Sequence, residues 1–229
     1  MTRQASSAEK SGDTLKDRTL ERLQKLILTG DLEPGAKLLE TQVATQLDVS
    51  RATLREAMVQ LSEIGLLAYI PFRGTFLRTL DPVDLDEIYS FRTGLEKMAF
   101  QFCWDKRDLI SLADLQMRNN RLCDCISDND PYGAIMAEMH LHSWCYELSG
   151  HTLLLQSWGR LKPNLQFYFA MHQKAHGRGG PLRESHDQYL QLAQGNSLDA
   201  MLNHLEDHMR QGLENTMRFL KERNVSQNA

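Results

Sequence analysis

Histidine and glutamate residues in the second half of the chain have the spacing of metal ligands on helices. Glu138 and His142 are four residues apart, as are His204 and His208, so each pair would share one helical face. His186 belongs to a third segment of helical character. Three imidazoles and one carboxylate from three helices would form a site for a divalent transition metal. Neutral imidazole suits Zn, Ni, Fe or Mn.

A purely structural role is the alternative for each of these histidines. A histidine on a helix is often a polar surface residue or a hydrogen-bonded part of the core. His140 lies two residues from both Glu138 and His142 and should point elsewhere, and His172 and His176 are expected to be exposed. The spacing alone leaves the metal site and the structural role both open.

Helices must position these side chains. Asp81 and Pro82 are typical of a helix start, and apolar residues recur at helical spacing from there onward. No segment shows the sustained alternation of a strand, so we expect an all-helical bundle of six or seven helices over 81–223. Gly-, Pro- and Asn-containing breaks separate the later helices, which are expected near 108–127, 131–148, 151–170, 182–194 and 198–222.

The first part of the chain, residues 13–80, has a different pattern of short helices, tight turns and a hairpin. An amphipathic helix is predicted over 14–29, and a Pro-Gly turn separates it from two short helices. Ser50 is a strong N-cap for the second of these. The segment around Arg73 and Gly74 indicates a strand, a turn and a second strand. Together these elements predict a winged helix-turn-helix.

The helix that follows Ser50 begins with groups suited to DNA. Arginine can bind guanine through two hydrogen bonds, and Ser or Thr can bind phosphate or base. Arg51, Thr53 and Arg55 could face the major groove, and Arg73 could contact phosphate or enter the minor groove. Arginines can also merely solvate a helix surface, but the complete order of helices, turns and hairpin favours DNA binding.

Composition and charge restrict the class of protein. The 229 residues are 41% hydrophobic and 24% charged, which predicts a folded chain of one or two domains. Residues 1–80 contain eleven Lys and Arg against ten Asp and Glu, whereas the remainder contains fifteen against twenty. Attraction to phosphate would therefore depend on a few well-placed arginines.

Other features of the sequence argue against export and against metal–thiolate chemistry. No apolar stretch approaches the ~20 residues that span a bilayer, and the N-terminus lacks the apolar core of a signal peptide. We therefore expect a cytoplasmic protein that does not bind membranes. The cysteines at 103, 123, 125 and 145 form no CxxC and are expected to be thiols. The ends, 1–12 and 224–229, are expected to be loose and disordered.

The first domain resembles that of the GntR family of bacterial transcription regulators. The matching segments are GDLEPGAKL, VSRATLREAM and the wing GLL…RGTF. The resemblance implies DNA contacts from the recognition helix and the wing, by Ser50, Arg51, Thr53, Arg55, Arg73 and Gly74. Ala52 stands where many relatives have Thr, so a contact made by that hydroxyl would be missing.

Residues 83–222 resemble the helical effector domain, or FCD domain, of FadR-type members of this family. The matching segments are FRTGLE at 91–96, a Glu and a His followed by LSG within 138–150, ESH at 184–186 and LEDHM at 205–209. In the metal-binding branch an Asp and three His hold the ion, and the resemblance assigns these roles to Glu138, His142, His186 and His208. His204 remains an alternative to His208.

Arg92, within FRTGLE, matches a position that faces the ligand cavity of such domains. A guanidinium beside a metal would suit a carboxylate ligand, because the metal takes one oxygen and the guanidinium another. The alternative is an ion pair between Arg92 and Glu96, one turn further along the helix.

These patterns together predict a bacterial DNA-binding transcription regulator, a repressor that binds a near-palindromic operator as a homodimer. A small organic acid bound near the metal would control its affinity for DNA. One alternative is a metal-free regulator whose helical domain serves dimerisation. Another is a helical metalloenzyme, against which the sequence contains no HExxH, nucleophile elbow or phosphate loop.

Overall fold

A small sheet and three helices come first in the chain, and helices follow from there onward. The computed structural model describes residues 14–29, 32–79, 81–176 and 179–227. The elements are α1 (Leu15–Leu28), β1 (Lys37–Leu38), α2 (Glu40–Gln46), α3 (Arg51–Glu63), β2 (Leu67–Ile70), β3 (Gly74–Leu77), α4 (Pro82–Cys103), a 3₁₀ turn (Trp104–Lys106), α5 (Leu109–Ser127), α6 (Pro131–Ser149), α7 (Thr152–His176), α8 (Arg183–Ala193) and α9 (Leu198–Gln227). The predicted fold class, a winged helix-turn-helix followed by an all-helical bundle, is confirmed.

Polar side chains fix where the helices that matter for function begin. The Oγ atom of Ser50 accepts a hydrogen bond from the backbone N–H of Thr53 (3.1 Å), so α3 begins at the predicted place. The carboxylate of Asp81 accepts a hydrogen bond from the N–H of Val83 (2.8 Å), and Pro82 occupies the first turn of α4. These two caps define the start of the recognition helix and of the helical bundle.

The wing is part of a three-stranded antiparallel sheet with the order β1-β3-β2. Sequence analysis predicted β2 and β3 but not β1, because a strand of two residues shows no alternation. Gly74 begins β3 with a φ of 103°, and a Cβ atom there would lie 3.1 Å from Cε of Lys37. Glycine is therefore favoured by the backbone conformation, whereas the flexible Lys37 side chain could move to make room for a Cβ atom.

Two of the predicted helices extend further than the sequence suggested. Helix α7 continues past 170 to His176, and α9 continues past 222 to Gln227. Residues 224–227, predicted as part of a loose tail, are therefore helical, since no Gly or Pro interrupts the sequence there. The predicted tail at 1–12 and residues 228–229 lie outside the described residues. None of the described helices is long and apolar enough to cross a membrane.

Aromatic side chains fill the centre of the bundle beside the histidine-bearing segments. The rings of Tyr146 and Trp158 are stacked with centroids 4.8 Å apart, and the Phe100 ring lies 5.7 Å from that of Tyr189. Tyr189 in turn lies 4.9 Å from the ring of His142. The cysteines are free thiols, as predicted. The histidine segments thus belong to the buried centre of the bundle and are held by its packing.

Helix α7 contacts the segment that joins the wing to the bundle. The side chain of Arg78, just after β3, donates a hydrogen bond to Oδ1 of Asn164. Asn164 also donates from Nδ2 to the carbonyl of Ile64 (3.1 Å). One turn along α7, the hydroxyl of Tyr168 donates to the carbonyl of Asp81 (3.0 Å) and accepts from its N–H (3.2 Å). The position of α7 is therefore linked to that of the winged domain.

Candidate functional site

Three imidazoles from three helices meet in the bundle. His142 lies on α6, His186 on α8 and His208 on α9, and one ring nitrogen of each lies within 4.8 Å of the others. Their ring centroids are 5.1 to 5.6 Å apart. His142 and His186 are buried, and His208 is partly buried. This group, the histidine cluster, has the residue types and closeness of a transition-metal site.

Hydrogen bonds at Nδ1 orient two of the rings. The Nδ1 atom of His142 lies 2.6 Å from Oε1 of Glu96, and that of His186 lies 3.0 Å from the carbonyl oxygen of Leu182. When Nδ1 carries the proton and donates, the lone pair lies on Nε2. The Nε2 atoms of both rings are buried and have no hydrogen-bond partner among the described residues. Two unpartnered lone pairs therefore face the cluster, an arrangement that a metal ion would satisfy.

The surroundings favour neutral imidazoles. Burial lowers the pKa of His142 and of His208 well below the usual histidine value, and the positive charge of Arg92 acts in the same direction. The contact from His142 to Glu96 is therefore a hydrogen bond from a neutral ring. Burial also raises the pKa of Glu96 to about 7 against the opposing effect of Arg92. Neutral rings are the protonation state that metals bind.

Glu138 supplies a carboxylate beside the cluster. Its Oε1 atom lies 3.6 Å from Nε2 of His186, beyond hydrogen-bond length. Burial raises the pKa of Glu138, but His186, His142 and Arg92 outweigh it and hold the pKa below the usual value. An ionised, buried carboxylate next to the three imidazoles would add the negative charge that a divalent ion needs.

The remaining histidines are placed differently. His204 is one turn from His208, and their ring centroids are 5.7 Å apart. Its ring nitrogens are not among the three that lie within 4.8 Å of one another. The geometry thus favours His208 over His204. His140 was expected to point away from Glu138 and His142, and its side chain is exposed, whereas theirs are buried. His172, expected to be exposed, is partly buried and its ring lies 5.8 Å from that of Phe219, because α7 is longer than predicted. The side chain of His176 lies outside the described residues.

A cavity of about 100 Å³ adjoins the cluster. Its walls come from α4, α6, α7, α8 and α9, and its lining includes Tyr89, Arg92, Glu138, Gln173, His186 and His208. Apolar atoms make up most of the lining, and a few polar groups are placed among them. Such a lining is typical of a small-molecule site.

Arg92 combines features of the two alternatives that its sequence position suggested, because it pairs with Glu96 and also lines the cavity. Its side chain is 2% exposed, and Nε lies 3.5 Å from Oε2 of Glu96, so the ion pair is present. The same guanidinium lines the cavity, and its Nε and Nη2 atoms have no hydrogen-bond partner among the described residues. Arg92 thus retains donors for an anionic ligand while its charge is partly balanced by Glu96.

The predicted DNA-contacting residues of α3 lie at its exposed N-terminal end. The side chains of Arg51 and Arg55 are 58% and 57% exposed. Oε2 of Glu40, on α2, accepts a hydrogen bond from Nε of Arg55 (2.8 Å) and lies 3.8 Å from Nη2 of Arg51. The hydroxyls of Ser50 and Thr53 are 2.8 Å apart. Exposed guanidinium and hydroxyl groups are therefore grouped on one turn of the helix.

The predicted wing contact also lies on the surface. Arg73 is exposed in the turn between β2 and β3, with its guanidinium 5.5 Å from the centroid of the Phe76 ring. Phe72, which sequence analysis did not single out, is fully exposed beside it and has a φ of 61°. The tip therefore presents an arginine and an aromatic ring to any molecule that approaches the wing.

Three residues of the site could not be predicted from the sequence pattern. Glu96 was interpreted only as a partner of Arg92, since its contact with His142 joins different helices. Glu40 precedes the recognition helix, and no spacing rule links it to Arg55. Gln173 lies on the part of α7 beyond the predicted helix end. In each case the contact depends on tertiary packing.

Comparison with known proteins agrees with this architecture. Residues 15–77 match the model for bacterial regulatory proteins of the gntR family, and residues 87–218 match that for the FCD domain. The solved structure of McbR/YncC from Escherichia coli has a TM-score of 0.78 and 21% identity, covering 90% of this chain and 99% of that one. A GntR transcriptional regulator from Rhodococcus sp. RHA1 has a TM-score of 0.74 and 25% identity, covering 88% and 97%.

Relatives with matching sequences are named as transcriptional regulators. The HTH-type regulator YdhC of Bacillus subtilis is 38% identical over 95 residues, 42% of each chain. McbR of E. coli is 27% identical over 151 residues, 64% of this chain and 68% of that one. Several curated relatives are matched over only about half of their length. The named relatives are regulators, which argues against the metalloenzyme alternative. The chain belongs to the GntR family of bacterial regulatory proteins, and its second half is an FCD domain.

Proposed function

We propose that this protein is a repressor that binds a near-palindromic operator as a homodimer. A small carboxylate effector, bound beside a divalent transition metal in the FCD domain, controls its affinity for DNA. The observation that carries the proposal is the histidine cluster, in which the buried Nε2 atoms of His142 and His186 have no hydrogen-bond partner among the described residues. His186 and His208 of this cluster line a cavity together with the buried Arg92. A structural set of histidines would instead have its buried nitrogens hydrogen-bonded.

DNA binding would depend on α3 and the wing. The exposed Arg51 and Arg55 can pair with guanine edges or phosphates, and the hydroxyls of Ser50 and Thr53 can bind phosphate or base. Arg73 at the wing would contact phosphate or the minor groove, and Gly74 allows the backbone to come close. Two such domains in a dimer would read two half-sites about one helical turn apart.

The metal would be held by His142, His186 and His208, with Glu138 as the carboxylate. When bound, the ion would supply a Lewis-acidic site for an oxygen of the effector. The hydrogen bonds from Nδ1 to Glu96 and to the carbonyl of Leu182 would keep two rings oriented. Zn, Ni, Fe and Mn all suit imidazole and carboxylate ligands.

Arg92 would bind the acid group of the effector. Its guanidinium lines the same cavity as Glu138, His186 and His208. The planar fork of N–H groups matches two carboxylate oxygens, and burial strengthens each charged hydrogen bond. The unpartnered Nη2 atom supplies a donor for this contact, while Nε faces Glu96.

Helix α7 offers a route from the cavity to DNA. Phe169, His172 and Gln173 line the cavity from this helix. Asn164 and Tyr168, earlier on the same helix, contact Arg78 and Asp81 at the junction with the winged domain. An effector that prefers one position of α7 would shift the winged domains and change their fit to the two half-sites.

Metal analysis and DNA selection would test this function together. The full-length protein, purified from its native cytoplasm, should contain about one transition-metal ion per chain and select specific genomic fragments over random duplex. Binding to the selected fragments should change when small carboxylic acids are added. Protein without metal, or with no preference among DNA fragments, would contradict the proposal.

A further inference from the structure

A residue in the wall of the effector cavity has a buried acceptor that no described residue satisfies. The side chain of Gln173, on α7, is 5% exposed and lines the cavity. Its Oε1 atom is buried and has no hydrogen-bond partner among the described residues. A buried amide oxygen without a partner is unfavourable, and such groups in native proteins call for a ligand or another explanation.

The polar groups of the cavity differ in chemistry between its walls. On the α4 wall, Arg92 presents hydrogen-bond donors and positive charge. On the α7 wall, Oε1 of Gln173 can only accept. A ligand that pairs with both Arg92 and Oε1 of Gln173 therefore combines an anionic group with a separate hydrogen-bond donor.

We propose that Gln173 recognises a hydroxyl or amino group of the effector, which is accordingly a short carboxylic acid with a donor group away from its carboxylate. This inference rests on the proposed function and adds the chemical class of the effector. Acids with an ether oxygen or a methyl group at that place would leave Oε1 of Gln173 unpaired on binding. Sites built to bind a hydroxyl reject analogues without one for this reason.

The position of Gln173 makes this contact informative for regulation. Tyr168, five residues earlier on α7, is hydrogen-bonded to Asp81 at the junction with the winged domain. A ligand that holds Arg92 on α4 and Gln173 on α7 would fix the relation between these two helices. An acid without the donor would engage Arg92 but make no hydrogen bond to Gln173.

Calorimetric titration of the metal-loaded full chain would test the inference with matched acids. The probes are 4-hydroxybutyrate, 4-methoxybutyrate and pentanoate, together with the corresponding sets one carbon shorter and one carbon longer. At one chain length or more, the hydroxy acid should bind about 5- to 100-fold more tightly than both analogues. Gln173→Met should reduce this preference to less than about twofold, whereas Gln173→Glu, which keeps the acceptor, should retain it.

Gln191→Met, an exposed change on α8, is the matched control and should keep the wild-type preference. Equal binding of hydroxy and methoxy acids at every length, or a preference that survives in Gln173→Met, would overturn the inference while leaving the proposed function intact. Failure of every acid to bind would contradict the proposed function, and this inference with it.

Discussion

The Nδ1 atom of His142 lies 2.6 Å from Oε1 of Glu96, and both side chains are fully buried. Tyr189 donates a second hydrogen bond to the same oxygen (3.1 Å), so the carboxylate is itself held in place. The contact fixes the orientation of the ring and leaves its buried Nε2 atom available as a ligand. At metal sites a ligand histidine commonly donates its other ring N–H to a carboxylate in this way.

Glu96→Gln should weaken metal binding about tenfold, because it replaces the carboxyl group that orients the His142 ring but keeps the shape of the side chain. Competition titration against a metal-sensitive dye measures this affinity. Glu214→Gln, at an exposed acid on α9, is the control and should leave it unchanged. An unchanged affinity in Glu96→Gln would remove Glu96 from its positioning role.

His208→Ala should abolish stoichiometric metal binding, whereas His204→Ala should retain it. The two residues share a helix and are one turn apart, but only His208 belongs to the histidine cluster. Elemental analysis of the two purified variants compares them directly. Metal loss in His204→Ala with retention in His208→Ala would show that the other histidine is the ligand.

Arg51→Ala should weaken operator binding about 5- to 150-fold, since one two-hydrogen-bond contact with a base contributes about 1–3 kcal/mol. Dimerisation and metal content should not change, because Arg51 lies on the exposed end of α3. Fluorescence anisotropy with operator DNA measures the affinity. Arg22→Ala, at an exposed arginine of α1, is the control. Equal losses in both variants would indicate a general effect of charge.

Tyr168→Phe should reduce the effect of the effector on DNA affinity while preserving effector binding. The substitution removes both hydrogen bonds to the backbone of Asp81 and leaves the ring in place. Allosteric couplings are typically about 1–3 kcal/mol, so even a partial loss is measurable as a smaller shift in operator affinity. Tyr132→Phe is the control, because the contact of Tyr132 with Lys25 of α1 is a cation–π interaction with the ring, which phenylalanine retains. Full coupling in Tyr168→Phe would exclude this route.

Local rules predicted the winged helix-turn-helix well. Ser50 as an N-cap and Gly74 at a positive φ are requirements that neighbouring residues in the chain impose. The choice between His204 and His208 could not be made in this way. Both lie at helical spacing on α9, and their difference depends on how α9 packs against α6 and α8.

The supporting residues of the site were the hardest to predict. Glu96 and His142 are 46 residues apart in the sequence, so their contact depends on the packing of α4 against α6. The position of Arg92 in the sequence suggested either an ion pair with Glu96 or a residue of the ligand cavity. In the structure Arg92 contacts Glu96 and also lines the cavity. Long-range packing decides such cases, whereas spacing in one helix does not.

The most direct test of the account is the operator affinity of metal-loaded and metal-stripped full-length protein, measured with and without a carboxylic acid that binds the cavity. We expect the acid to change operator affinity at least fivefold in the metal-loaded protein and to have little effect after stripping or in Arg92→Met. The same change in the stripped protein and in Arg92→Met would contradict control through the histidine cluster and its cavity.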